Sequence, residues 1–171
     1  MDQKVILSKI QAALGNLESS GMESFIFPKG KTRVRLCIDP TSEIVKTVST
    51  EFQGRKKQKF LFLSFSVDDE APTWKGLIVP KTVARGILEL STEFQLFSPD
   101  RDGHGITILR TGEGLRSVYT VNPSKSPVAI PESLLSSRPT LQELAEQYES
   151  RRERQDSSAF SSEDEDDEGS W

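Results

Sequence analysis

The sequence predicts a mainly β domain flanked by helices, on three observations. From Ser24 onward the chain breaks into short runs rich in Val, Ile, Phe and Thr, separated by Gly, Pro, Asp and Ser, as strands and turns require. A single helical stretch interrupts those runs after Pro80. Apolar stripes with helical spacing appear near both ends of the chain.

The first element is "VILSKIQAALGNLESSG", where Val5, Ile6, Ile10, Ala13, Leu14 and Leu17 recur at spacings near three and four. That predicts an amphipathic helix, weakened at Gly15 and ended by Gly21. Its stripe can pack on its own domain or meet a neighbouring molecule, which leaves room for self-association on a shared ligand. The β runs are "SFIF", "TRVRLCI" (Thr32 to Ile38), "EIVKTVSTEF" (Glu43 to Phe52), "KFLFLSFSV" (Lys59 to Val67) and the short "WKGLIV" (Trp74 to Val79). Next comes "PKTVARGILELSTEF", with Val83, Ile87, Leu88 and Leu90 on one side and Pro80 at its start, where a missing N–H costs nothing. "HGITILR" and "LRSVYTV" follow, joined by Thr111-Gly112-Glu113-Gly114, a hairpin signal. A Pro/Ser-rich link, "NPSKSPVAIPESLLSSRP", leads to a helix from Thr140, where Thr140 and Glu143 stand in capping-box spacing ahead of Leu141, Leu144, Ala145 and Tyr148.

Three strands, a helix and two strands is the order of the five-stranded Greek-key OB-fold barrel, with its helix between strands three and four. The expected division is an N-terminal helix over 1–21, the barrel over 22–131, a linker and C-terminal helix over 132–155, and an acidic tail over 156–171.

Charge divides the chain in the same way. Against a net charge of -4 for the whole, the segment from Asp156 to Trp171 carries seven acids and no base. Residues 1–155 therefore hold 22 bases and 19 acids, and Ser24 to Ser126 alone holds 16 bases and 11 acids. A run such as "DSSAFSSEDEDDEGS" buries too little apolar surface to offset its ordering entropy, so disorder is expected there. It ends on Trp171, and an acidic peptide with an aromatic terminus can dock charge-first into a basic groove, here through Asp164, Glu165, Asp166, Asp167, Glu168 and Trp171. Alternatively it serves solubility alone.

Much chemistry is excluded. Cys37 is the only cysteine and His104 the only histidine, so neither an intramolecular disulfide nor a Cys/His zinc set can form; no metal or cofactor is expected. Cys37 reads as a small buried hydrophobe and His104, between two glycines, as an exposed turn residue. Asp68, Asp69 and Glu70 beside Pro72 read as a solvated turn rather than a metal site, and an enzyme is the least expected class. No run reaches the ~18 to 20 apolar residues of a membrane helix, and Met1-Asp2-Gln3-Lys4 lacks the character of a signal peptide; a cytoplasmic protein with no membrane partner is expected.

The candidate ligand is a single strand of nucleic acid. Lys31, Arg33 and Arg35 alternate with Thr32, Val34 and Leu36, so the pleat sends three cations to one face. With Lys29 before them and Arg55, Lys56, Lys57 and Lys59 in the "GRKKQK" hairpin loop, a basic track along a phosphate backbone is predicted. Aromatic rings on a sheet surface stack unpaired bases for ~1 to 3 kcal/mol each. Trp74 and Phe52 are the leading candidates, followed by Tyr119 between Arg110 and Arg116. Of Phe60 and Phe62 on one face and Leu61, Leu63 and Phe65 on the other, one set is expected to fill the barrel.

The segments "FPKGKTRVRL", "WKGLIVPKTVARGILEL" and "DGHGITILRTGEGLRSVYTVNPS" give the chain, from Phe25 to Pro131, a likeness to a known family. It resembles the OB-fold single-stranded DNA-binding proteins of tailed bacteriophages, including the helix-destabilising type. The resemblance implies cooperative, sequence-tolerant coating of single-stranded DNA during replication and recombination, in the host cytoplasm. It also implies an acidic C-terminal segment that recruits partner enzymes and gates the groove. One departure is plain: the helix-destabilising members carry a Cys/His zinc site, which Cys37 and His104 cannot make. A single-stranded RNA-binding barrel of the cold-shock kind and a protein-only adaptor are the alternatives, since stacking platforms do not distinguish sugars unless the 2′-hydroxyl is read.

Overall fold

The computed structural model describes residues 3–18, 30–39, 41, 43–52, 54–98 and 101–160, the side chains of 15–18, 50–52, 115 and 154–160 excepted. The elements run α1 (Gln3–Glu18), β1 (Gly30–Cys37), β2 (Lys46–Phe52), β3 (Arg55–Ser66), β4 (Lys75–Val79), α2 (Lys81–Glu93), β5 (His104–Thr111), β6 (Val118–Pro127), α3 (Glu132–Leu135) and α4 (Leu141–Phe160). A short 3-10 turn, Gly114–Arg116, lies between β5 and β6.

All six strands join one antiparallel sheet in the order β2-β3-β1-β5-β6, with β4 also paired to β3. Five strands were expected. The short run at 74–79, left out of that count, forms β4 against Phe60–Ser64, so the helix falls between the fourth and fifth strands. β1 and β2 lie in tandem along one edge of β3: Cys37 faces Leu63 and Lys46 faces Leu61. Just past β1, Asp39 accepts from the Thr41 backbone N–H at 2.6 Å and from the Leu141 N–H at the start of α4. Among the described residues no ladder joins β4 to β6, so the sheet is open, and α2 packs against both β3 and β6.

The alternation in β3 explains why the sheet is covered twice. Phe60 and Phe62 enter a core with Val34, Leu36, Ile106 and Ile108, closed by Val83, Ile87 and Leu88 of α2 and by Ile6 and Ile10 of α1. Leu61, Leu63 and Phe65 on the opposite face were candidates for the exposed set. They are buried instead, in a second core with Cys37, Val48, Ile130, Leu134, Leu141 and Ala145, because α3 and α4 fold over that side. A strand buried on both faces reads as a continuous apolar run, and "KFLFLSFSV" is one.

Two boundaries extend past expectation. β6 continues through Pro127, where a link was expected; Pro123 and Pro127 are tolerated because β6 is an edge strand. α4 continues through Phe160, since no Gly or Pro follows Thr140 to stop it before that point. Its start is the predicted capping box: Glu143 N–H donates to Thr140 Oγ1 at 3.1 Å, and Thr140 N–H to Glu143 Oε2 at 2.8 Å. Among the described residues no helix is long and apolar enough to cross a membrane.

Candidate nucleic-acid interface

The pleat of β1 turns Val34 and Leu36 inward and Lys31, Arg33 and Arg35 to the other face, as the alternation predicts. Their fates then diverge. Lys31 and Arg33 are exposed, and Arg33 Nη1 reaches Asp68 Oδ1 at 2.8 Å. Arg35 is fully buried, which corrects its assignment as a phosphate contact. Its Nε donates to Val128 O at 3.0 Å and its Nη1 to Leu96 O at 2.6 Å and to Leu36 O. Burial lowers its pKa. A side chain at Gly103 would run into the Arg35 guanidinium and the Gln95 carbonyl, so glycine is needed for this close approach. Arg35 therefore ties β1 to the segments that cross it.

The basic segment at 55–59 is strand rather than loop. β2 and β3 pair up to Phe52 facing Arg55, and Gly54 just before β3 has φ +71°. Arg55, Lys57 and Lys59 alternate onto the face of Leu61, while Lys56 lies on the other face opposite Glu51. Arg55 and Lys56 are exposed; Lys57 and Lys59 are half-buried. Burial lowers the Lys59 pKa, and the positive charges of Arg152 and Lys57 lower it further. Arg152 itself is placed by a bond from Nη1 to Ser49 O at 3.0 Å. Lys46, farther along β2, contacts Gln142 and Glu43.

These cations do not form one unbroken track. Val67 N–H bonds to Arg33 O, and Lys59 lies eight residues back along β3. At about 3.3 Å per residue the two groups are about 26 Å apart along the strand. The cover of α3 and α4 lies between them on the same face.

The aromatic candidates also redistribute. Trp74 is half-buried in the second core: Nε1 donates to Leu134 O at 2.9 Å, Phe65 meets its ring edge-on at 5.9 Å, and the Arg138 guanidinium lies 5.6 Å from its centroid. It holds α3 to the sheet, which corrects its assignment as a free stacking platform. Tyr119 faces Arg110 across β5 and β6 on the α2 side and is half-buried. Burial raises its pKa against the opposing effect of Arg110. Arg110 donates from Nε and Nη2 to Ser117 Oγ at 3.1 and 3.0 Å, and Arg116 is exposed in the 3-10 turn. The side chain of Phe52 lies outside the described residues, as do Lys29 and the tail residues Asp164, Glu165, Asp166, Asp167, Glu168 and Trp171.

Of two minor expectations, the one for Cys37 holds and the one for His104 does not. Cys37 is buried, and burial pushes its thiol pKa up to about 11. His104 begins β5 and is half-buried rather than exposed in a turn, with its ring edge-on to Phe94 at 5.6 Å.

One surface was not anticipated. Cross-strand partners Lys31, Leu109 and Thr120 share a face with Arg33, Thr107 and Asn122, on the outer side of β1, β5 and β6. Among the described residues no helix packs on this part of the sheet from that side, and Leu109 is 38% exposed. Thr107 and Leu109 alternating with the buried Ile106 and Ile108 carried the signal. Among the described residues, the large hydrophobic side chains left exposed are Val5, Leu7, Leu109 and Val118, none aromatic. No family model matches this chain, and neither curated proteins nor solved structures provide a match.

Proposed function

We propose that this protein binds single-stranded DNA without regard to sequence, on a Greek-key barrel of the OB type, and has no catalytic role. Counting β1 and β2 as one interrupted strand gives five strands in the order β4-β3-β1-β5-β6, with α2 between β4 and β5. That order supports the OB reading, in which oligonucleotides bind beside strands two and three and the turns after strands one and four. Those two turns are the β2–β3 hairpin and the β5–β6 connection.

The observation that carries the proposal is where the cations fall. Arg55, Lys56, Lys57 and Lys59 flank the first turn, joined by Arg152, while Arg110 and Arg116 flank the second. Like charges held this close depress one another's protonation, and an approaching phosphate relieves that repulsion. Since α3 and α4 cover the outer side of β3 and β4, the strand would pass over the open face of β1, β5 and β6, where Lys31 and Arg33 supply further phosphate contacts. Among the described residues few rings line this path, so affinity there would lean on charge more than stacking. The family resemblance adds a setting in phage DNA replication or recombination. In that setting the acidic tail competes for the groove and recruits partner proteins.

Anisotropy titration of a labelled oligonucleotide with the full chain, at two salt concentrations, tests this. Single-stranded DNA should bind more tightly than duplex or single-stranded RNA and should weaken steeply with salt. Reversing Lys57 and Lys59 to Glu together should cost about tenfold or more in affinity. Removing residues 161–171, which leaves α4 intact, should raise affinity at low salt. Absence of binding by both the full and shortened chains would overturn the proposal, and tighter binding of RNA would reassign the ligand.

A further inference from the structure

The face of β6 turned away from Lys31 and Arg33 meets α2 across an open cleft of about 520 Å³. Val118, Tyr119 and Val121 line one wall, and Glu89, Leu90 and Glu93 of α2 line the other. β6 pairs with β5 alone, so its outer edge has no ladder partner among the described residues. That edge is guarded unevenly. Pro123, Lys125 and Pro127 occupy its second half, the devices that keep an exposed edge from recruiting another strand. Val118 to Asn122 carries no proline or lysine, and Val118 is 60% exposed beside the cleft.

We propose that this cleft takes an extended basic peptide, which adds to the free edge of β6 as a further strand. Main-chain hydrogen bonds to the Val118–Asn122 edge would give affinity. Alternate side chains would divide between the α2 side, where Leu90, Glu89 and Glu93 lie, and the outer face, where Val118 is exposed. The two carboxylates decide the sign of the ligand: they repel phosphates and would equally repel the chain's own acidic segment at 163–168. Arg110, at the end of the cleft, is turned to Ser117 Oγ at 3.1 and 3.0 Å, away from that role. The inference does not depend on nucleic-acid binding, since Lys31 and Arg33 lie on the opposite face of the sheet and the carboxylates of the cleft repel phosphates.

The test uses the full chain and labelled peptides of about six residues, an ordinary strand length, alternating lysine with valine. Companion peptides replace lysine by glutamate or place proline at alternate positions. The lysine peptide should bind, the other two should bind at least tenfold more weakly, and amide exchange should slow at Val118 to Asn122. Glu89→Lys with Glu93→Lys, both on the exposed side of α2, should cost at least tenfold, whereas Glu146→Lys, exposed on α4 away from the cleft, should leave peptide binding unchanged. No binding of the lysine peptide, equal binding of the proline peptide, or its displacement by a single-stranded oligonucleotide would overturn the proposal. So would protection of the same amides by self-association in the absence of peptide.

Discussion

Arg33 and Arg35 are two residues apart on one strand and point to the same face, yet one meets water and the other is fully buried. The difference lies in what crosses over them. Beside Arg33 the outer face of β1, β5 and β6 carries no helix among the described residues. Over Arg35 pass the backbone at Val128 and the Leu96 segment, and next to it α3 and α4 roof β3. One alternating row of cations thus yields an open half available to a ligand and a covered half that works as structure. The comparison teaches that a charge pattern specifies a face, while the burial of that face is decided by segments far away in sequence.

The sharpest way to break this comparison is to remove Arg35. Arg35→Ala would leave three backbone carbonyls without their donor and a void beneath Val128. Each buried acceptor left unsatisfied costs about 1–3 kcal/mol, so a total on the order of 3–5 kcal/mol is expected, a large share of a domain's stability. Urea denaturation measures it. A change below about 1 kcal/mol would mean that the covered half is held by its apolar contacts alone.

A smaller effect should follow from Cys37, which lies under the same cover. Its thiol pKa is raised from 9.0 to about 11, chiefly by burial, so the folded state holds the proton more tightly than the unfolded chain. The associated stability is complete below pH 9.0 and is lost as pH rises through about 11. The loss should approach about 2–3 kcal/mol and should be missing from Cys37→Ala, so the difference between the two denaturation profiles isolates it. Parallel profiles across that window would place water at the thiol.

These contrasts also show what could be read from the sequence. Strand alternation in β1, the capping box at Thr140 and Glu143, the helix after Pro80 and the hairpin around Gly112 are local patterns, and the structure contains each of them. The roof was not legible, because nothing within "KFLFLSFSV" tells that Leu141 and Ala145 will lie on it. Trp74 followed from the same gap. Between the polar Thr73 and Lys75 it reads as exposed, but its N–H finds the Leu134 carbonyl sixty residues away. The cations at 55–59 were legible by type and missed by form, since β3 begins at Arg55, paired with Phe52 of β2, and so holds them in a strand.

The smallest expected effects belong to the open half, and they should fall on binding instead of stability. Arg33 meets Asp68 as an exposed pair, which is worth ~0–1 kcal/mol, so Arg33→Ala and Lys31→Ala should each shift the urea midpoint little. Loss of a phosphate contact should instead weaken single-stranded DNA by about 1 kcal/mol per residue, evenly across sequences. It should also flatten the salt dependence by about 0.7 in logarithmic slope, because one fewer counterion leaves a single strand. Paired titration and denaturation of the same variant separate the two halves directly. If Arg33→Ala lowered stability as Arg35→Ala does and left affinity and slope unchanged, the open face would be a structural surface too. The ligand path would then have to rest on the cations around the two turns, those of β3 with Arg152 and Arg110 with Arg116.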